Sequence, residues 1–157
     1  MKMPKSIREH TSNAEYYLSA ANKHPTPTRN AVQILLLLIG WENIVIADEE
    51  LNAWVRKEGV ASAVYKSHAR KLKDIPEVIK VIINSNGKGK KISFSSGRKF
   101  KKLRLMCQYG LNTGNKAVAD LFKSGWHTDK LRNGLISKIG WLKVYITAVE
   151  SMEKDRK

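Results

Sequence analysis

The chain has 157 residues, with 29 Lys or Arg against 14 Asp or Glu, a formal charge of +15. That length supports one domain, residues 1–157, with a proper core. Apolar residues at 42% with charged residues at 27% exclude a disordered chain. The single Cys107 excludes an intramolecular disulfide and a Cys-rich metal knuckle, and it fits a reducing, cytoplasmic compartment. Its neighbours Met106 and Gln108 suit a packed core thiol. The opening residues carry no apolar signal region, which also favours the cytoplasm.

In chain order, Ser6 reads as an N-cap with Glu9 completing a capping box. The helix it opens gathers Ile7, Ala14, Tyr17, Leu18 and Ala21 on one flank, and the prolines at 25 and 27 end it. A second helix starts at Thr28 or Asn30 and runs to about Lys57. It is apolar nearly all round in its first half, which places it at the centre of a bundle. Its stretch from Ala31 to Ala47 reaches only the lower limit for a membrane span. That stretch contains Gln33, Glu42 and Asn43, so a buried soluble helix is expected and no membrane. A third helical stretch is expected from Val60 to Leu72, and a short helix from Pro76 through Val81 to Ile83.

Residues 84–97, rich in Gly, Ser and Asn, read as a flexible basic loop. A helix from Arg98 to Tyr109 follows, then a short one near Lys116 to Phe122. The last helix, Thr128 to about Glu153, has Leu131, Leu135, Ile139, Leu142, Ile146 and Val149 as its buried stripe. The predicted fold class is all-α, an up-and-down bundle of four main helices plus short ones.

Two groups of residues point to chemistry. No Asp or Glu occurs between Glu77 and Asp120, an interval that carries ten Lys or Arg residues. Lys88, Lys90, Lys91, Arg98, Lys99, Lys101 and Lys102 form its dense part and are the candidate nucleic-acid contacts. Cations on a loop and a helix can follow a phosphate backbone and release its counterions. Phe94 or Phe100 is a candidate for stacking on an unpaired base.

The second group is Glu42, Asn43, His68, Lys71 and Arg104. A carboxylate inside the Leu-rich helix is costly to bury unless cations or donors meet it, and these residues are the candidates. An ion pair from Glu42 to His68, Lys71 or Arg104 would fix the bundle's register. The functional alternative is a site in which Glu42, His68 and Arg104 work on phosphate. Several enzyme classes fail on spacing: the chain has no Glu-x-x-His, no His-Glu-x-x-His and no Walker loop. No cofactor is expected.

Three stretches together resemble the AbiV abortive-infection proteins, within the wider group of HEPN helical domains. They are Trp41-Glu42-Asn43 after the apolar run, Ser67-His68-Ala-Arg-Lys71-Leu-Lys, and Lys102-Leu-Arg104-Leu-Met-Cys-Gln-Tyr109. The resemblance spans roughly residues 10 to 150. It implies a HEPN-like all-α bundle, often a homodimer, acting in cellular defence against viruses. Many HEPN domains are RNases whose motif is Arg followed four to six residues on by His. None of the eight Arg residues here has a His at that spacing. The nearest forms are Arg104-x4-Tyr109 and Arg132-Asn133-Gly-Leu-Ile-Ser-Lys138, with Lys in the His place. Lysine at its ordinary pKa is charged near neutrality and is no general base.

Three functional readings follow. The first is an antiviral-defence protein that binds RNA, or an RNA-protein assembly, through the basic stretch; an acidic protein partner fits the same charge. The second is a helical protein that coats DNA without sequence preference. The third is a metal-independent nuclease using Glu42, His68 and Arg104, so whether the chain is an enzyme stays open.

Overall fold

In the computed structural model, the described residues are 2–23, 30–83, 89–94, 96–109 and 126–155; for 30, 78–83, 89–94, 109 and 126–128 this covers the backbone alone. Helix α1, Lys5–Asn22, does not begin on Ser6. Pro4 occupies the N-cap position without a side-chain cap, and Ser6 lies inside the first turn. The fixed φ of proline suits a helix start, so the chain turns two residues earlier than a hydroxyl cap at Ser6 would dictate. The expected flank is nevertheless the one that packs: Ile7, Ala14 and Ala21 are fully buried, and Leu18 lies against them.

Helix α2, Asn30–Arg56, is the centre of the bundle. It packs on α1 along its length, and on α5 and the last helix further along. Ile34, Leu37, Leu38, Ile44 and Leu51 are completely buried. Among the described residues, α2 is the one helix long and apolar enough to cross a membrane by length and composition, and 61% of that window is buried inside the fold. It closes on Lys57, which adopts φ 60°. Glu58 N–H then reaches the Ala53 carbonyl (2.8 Å) and Lys57 N–H that of Trp54 (3.1 Å), a Schellman ending with lysine where glycine is usual.

The stretch expected as one helix from Val60 to Leu72 is two short ones, α3 (Ala63–Lys66) and α4 (His68–Lys71). Ser67 breaks them: its backbone is extended (φ −102°, ψ 109°), and its hydroxyl caps α4 by accepting from Arg70 N–H. A serine that bonds locally competes with helix continuation, and here it wins. The short helix expected through Ile83 is instead strand β1, Val78–Ile83, paired antiparallel with β2, Gly89–Phe94. Val78 faces Phe94 in the register and Ile83 faces Gly89. The β-branched run Val-Ile-Lys-Val-Ile-Ile explains the choice, since such side chains favour a pleated strand over a helix. Much of the loop expected at 84–97 is therefore strand. Residues 84–88 and 95, Lys88 among them, lie outside the described residues, as does the helix expected near Lys116 to Phe122.

Helix α5, Gly97–Tyr109, and α6, Trp126–Lys154, complete the order. The fold is thus a helical, all-α packing with one two-stranded hairpin appended. Leu131, Leu135, Ile139, Leu142 and Ile146 of α6 are buried as the spacing predicts, with Val149 half-buried at the end of the stripe. Trp41 Nε1 donates to the Leu131 carbonyl (3.0 Å), tying the middle of α2 to the first turns of α6.

Two glycines permit close approach. A Cβ on Gly134 would stand 2.8 Å from the Trp41 ring. A Cβ on Gly97 would stand 1.8 Å from the Ala69 carbonyl oxygen, so the start of α5 rests on α4 backbone to backbone. Gly97→Ala is expected to cost about 1–3 kcal/mol in urea unfolding, because backbone cannot yield as a flexible side chain can. An unchanged midpoint would show that α5 can lift off α4 freely.

Candidate functional site

Glu42 lies halfway along α2 and is 5% exposed. Two elements deliver cations to it. The α4 helix, placed by the Ser67 cap, supplies His68 and Lys71 one turn apart. The α5 helix, seated on α4 at Gly97, supplies Arg104. His68 Nδ1 is 2.9 Å from Glu42 Oε1, and Lys71 Nζ is 3.5 Å from Oε2. Arg104 Nε comes within 2.7 Å of Oε1, but its N–H is not aligned for a hydrogen bond. Arg104 Nη1 donates instead to Gln108 Oε1 (2.7 Å), and Lys71 Nζ also donates to the Tyr65 carbonyl (3.4 Å).

One buried carboxylate therefore faces two fixed cations and an imidazole, and the centre has a surplus of positive charge. Three elements (α2, α4 and α5) meet through it. His68 is the outlet of the cluster, its side chain 36% exposed against 8% for Lys71 and 14% for Arg104. With Nδ1 donating to Glu42, Nε2 has no partner among the described residues and can take a ligand.

The other sequence candidates are distributed differently. Asn43 does not join the cluster. Its Nδ2 donates to the Ile39 carbonyl (3.0 Å), and its Oδ1 meets His10 Nδ1 (3.1 Å) on the α1 side. The reason is rotation: adjacent residues on a helix point about 100° apart, so Glu42 and Asn43 face different neighbours. Arg132 donates to Asn22 (2.8 Å) and Asp129 (3.0 Å). Lys138 pairs with Asp48 (2.7 Å), and Asn133 is exposed. The Arg132 to Lys138 stretch is thus tied to α1, to α2 and to its own helix, with no contact to Glu42 among the described residues. Tyr109 ends α5, its side chain outside the described set.

On the basic stretch, Arg98, Lys99, Lys101 and Lys102 are all exposed on α5, with no acid on that helix. Lys90 and Lys91 belong to β2 rather than to a loop. Phe100 is 1% exposed and part of the core, which removes it as a base-stacking platform. Burial pushes the Cys107 thiol up to about 12, which leaves it unreactive near neutrality.

Sequence reasoning missed a second buried acid. Glu50 accepts from the Tyr65 hydroxyl (2.8 Å), and its Oε1 lies 3.9 Å from His10 Nε2. Three acids in a row, Asp48, Glu49 and Glu50, read from the sequence as an outward-facing set. The signal available was the offset of Glu50 from Glu49, which turns it toward α1 and α3.

Glu49 stays near the surface. The hydrogen bond from Lys73 (2.9 Å) holds its carboxyl below the ordinary 4.5, burial opposes this in part, and the charges of Lys73, Arg70 and Arg56 add to it. A lowered folded-state value means that the pair stabilises fully above the unfolded value and fades as pH falls through the folded one. Lys73→Met should therefore lose stability at neutral pH, and the gap from the parent should close on acidification below about 4. Urea titrations at pH 7 and pH 3 check this.

Among the described residues no group of three or more His, Cys, Asp or Glu side chains could hold a metal ion. Comparison with known proteins gives no match to a family model, a curated protein or a solved structure.

Proposed function

We propose that this chain binds RNA through the cationic face of α5, with the Glu42 centre anchoring that face. The observation that carries the reading is the set of four exposed cations, Arg98, Lys99, Lys101 and Lys102, on a helix without an acid. That helix ends its positive run on Arg104, beside an already over-neutralised carboxylate. A charge of +15 adds long-range attraction for a polyanion. A single-stranded RNA meets such a helix by phosphate contact, and the affinity falls with salt as counterions are released.

The setting belongs to the same proposal. The AbiV and HEPN resemblance in Trp41-Glu42-Asn43, the His68 to Lys71 stretch and Lys102 to Tyr109 suggests antiviral defence by a cytoplasmic, HEPN-like homodimer. Two of those three stretches supply side chains that meet the third at Glu42. Binding of single-stranded RNA and duplex DNA should be measured at low and moderate salt. RNA preference supports the reading, duplex preference with high stoichiometry favours DNA coating, and no binding to either at low salt ends both.

A second reading rests on His68. A carboxylate-oriented imidazole with Nε2 free, flanked by Lys71 and Arg104, is a working set for metal-independent RNA cleavage. His68 would take the 2′-hydroxyl proton as that oxygen attacks the adjacent phosphorus. The bond to the 5′ oxygen would break, with water protonating the leaving group, while Arg104 stabilises the phosphorane. Labelled RNA incubated with chelator tests it: cleavage by the parent that disappears in His68→Ala, without loss of RNA binding, is the supporting result.

A further inference from the structure

A cleft of about 330 Å³ opens where the end of α2 meets the start of α1 and α3. Pro4, Ser6, Glu50, Trp54, Lys57 and Tyr65 are among its walls. Two of these carry buried polar atoms without a partner among the described residues: Glu50 Oε2 and Trp54 Nε1. Glu50 is 7% exposed, so an unmet carboxylate oxygen there is a standing cost that solvent does not relieve. One turn of α2 separates the two residues, which puts an acceptor and a donor side by side on one face.

We propose that this cleft binds a nucleobase. Every nucleobase presents a donor next to an acceptor on a planar edge, which matches Glu50 Oε2 and the Trp54 N–H together. Its face suits the phenol ring of Tyr65, which lines the same cleft. A small rotation of either side chain toward the cleft it lines hands the orphan atom to the ligand. The other oxygen, Oε1, is already taken by Tyr65 (2.8 Å). That phenol is pushed up to about 12, chiefly by burial and then by its bond to Glu50, so it stays a donor at neutral pH. Single-point acceptance predicts no strong preference for guanine, which would need both oxygens. A simple ammonium ion fits less well, because it leaves the indole N–H unmet and approaches a chain of charge +15 past the exposed Lys57. This inference deepens the RNA reading: α5 would hold the backbone while the cleft takes a base.

The test is tryptophan fluorescence with adenosine, cytidine, guanosine and uridine, beside anisotropy of a labelled single-stranded RNA at low salt. The expected result is saturable quenching by nucleosides in the millimolar range or below. It should vanish in Trp54→Phe and weaken about tenfold in Glu50→Gln, with urea midpoints measured for both. Should Glu50→Gln fail to fold, equilibrium dialysis of the nucleosides against Trp54→Phe decides, since that readout does not depend on the replaced indole. RNA binding without any nucleoside binding up to about 10 mM overturns the cleft and leaves the α5 reading standing. Nucleoside binding that neither substitution changes places the base elsewhere and overturns it too, as does saturation of the cleft by propylammonium instead.

Discussion

Glu42→Ala is expected to lower the unfolding free energy by about 3–5 kcal/mol, the cost of leaving buried cations without their anion. Lys71 and Arg104 are both largely shielded, so neither reaches solvent without moving α4 or α5. Set against a domain stability of about 5–15 kcal/mol, that loss brings the chain near its threshold. Glu42→Gln should cost less, since the amide keeps the shape and one acceptor for His68 Nδ1. Urea denaturation of the three proteins measures the series. A loss below about 1 kcal/mol for alanine would mean that Lys71 and Arg104 find water, and that the ion cluster does not hold the three elements together.

Replacing Arg98, Lys99, Lys101 and Lys102 together by glutamine should flatten the salt dependence of RNA binding. Each phosphate contact to a single strand contributes about 0.7 to the slope of log affinity against log salt, so four lost contacts remove about 3. All four side chains are exposed, and folding should be nearly unchanged. An identical slope in parent and variant would place the binding surface on another face. A full collapse of binding at every salt concentration would instead point to these residues acting through the Glu42 centre.

The helical frame was legible because its strongest signals are long. The apolar run of α2 and the Leu131 to Ile146 stripe of α6 each repeat over several turns, and both are buried as read. The convergence of His68, Lys71 and Arg104 on Glu42 was legible from cost alone, since a carboxylate in that run needs cations. What failed was short-range. Ser67 interrupts a helix that the spacing of Val60, Val64 and His68 favours, and one hydroxyl bond to Arg70 N–H decides it. The hairpin was missed because Val78 to Ile83 is apolar without alternation, a pattern that strand and helix share; the β-branched content was the better guide. Glu50 was hidden by its neighbours Asp48 and Glu49, which make three acids in a row look uniformly solvated.

The bond from Trp41 to the Leu131 carbonyl joins positions 90 residues apart. During synthesis, the greasiest part of the chain emerges early, while the helix that covers it is still to be made. At about 5–20 residues per second, the ribosome needs roughly 5–20 s to move from the end of α2 to the end of α6. Throughout that interval the Leu-rich rod can rest on α1 but lacks the cover of α6, and holding chaperones are the cell's natural remedy for such a nascent segment.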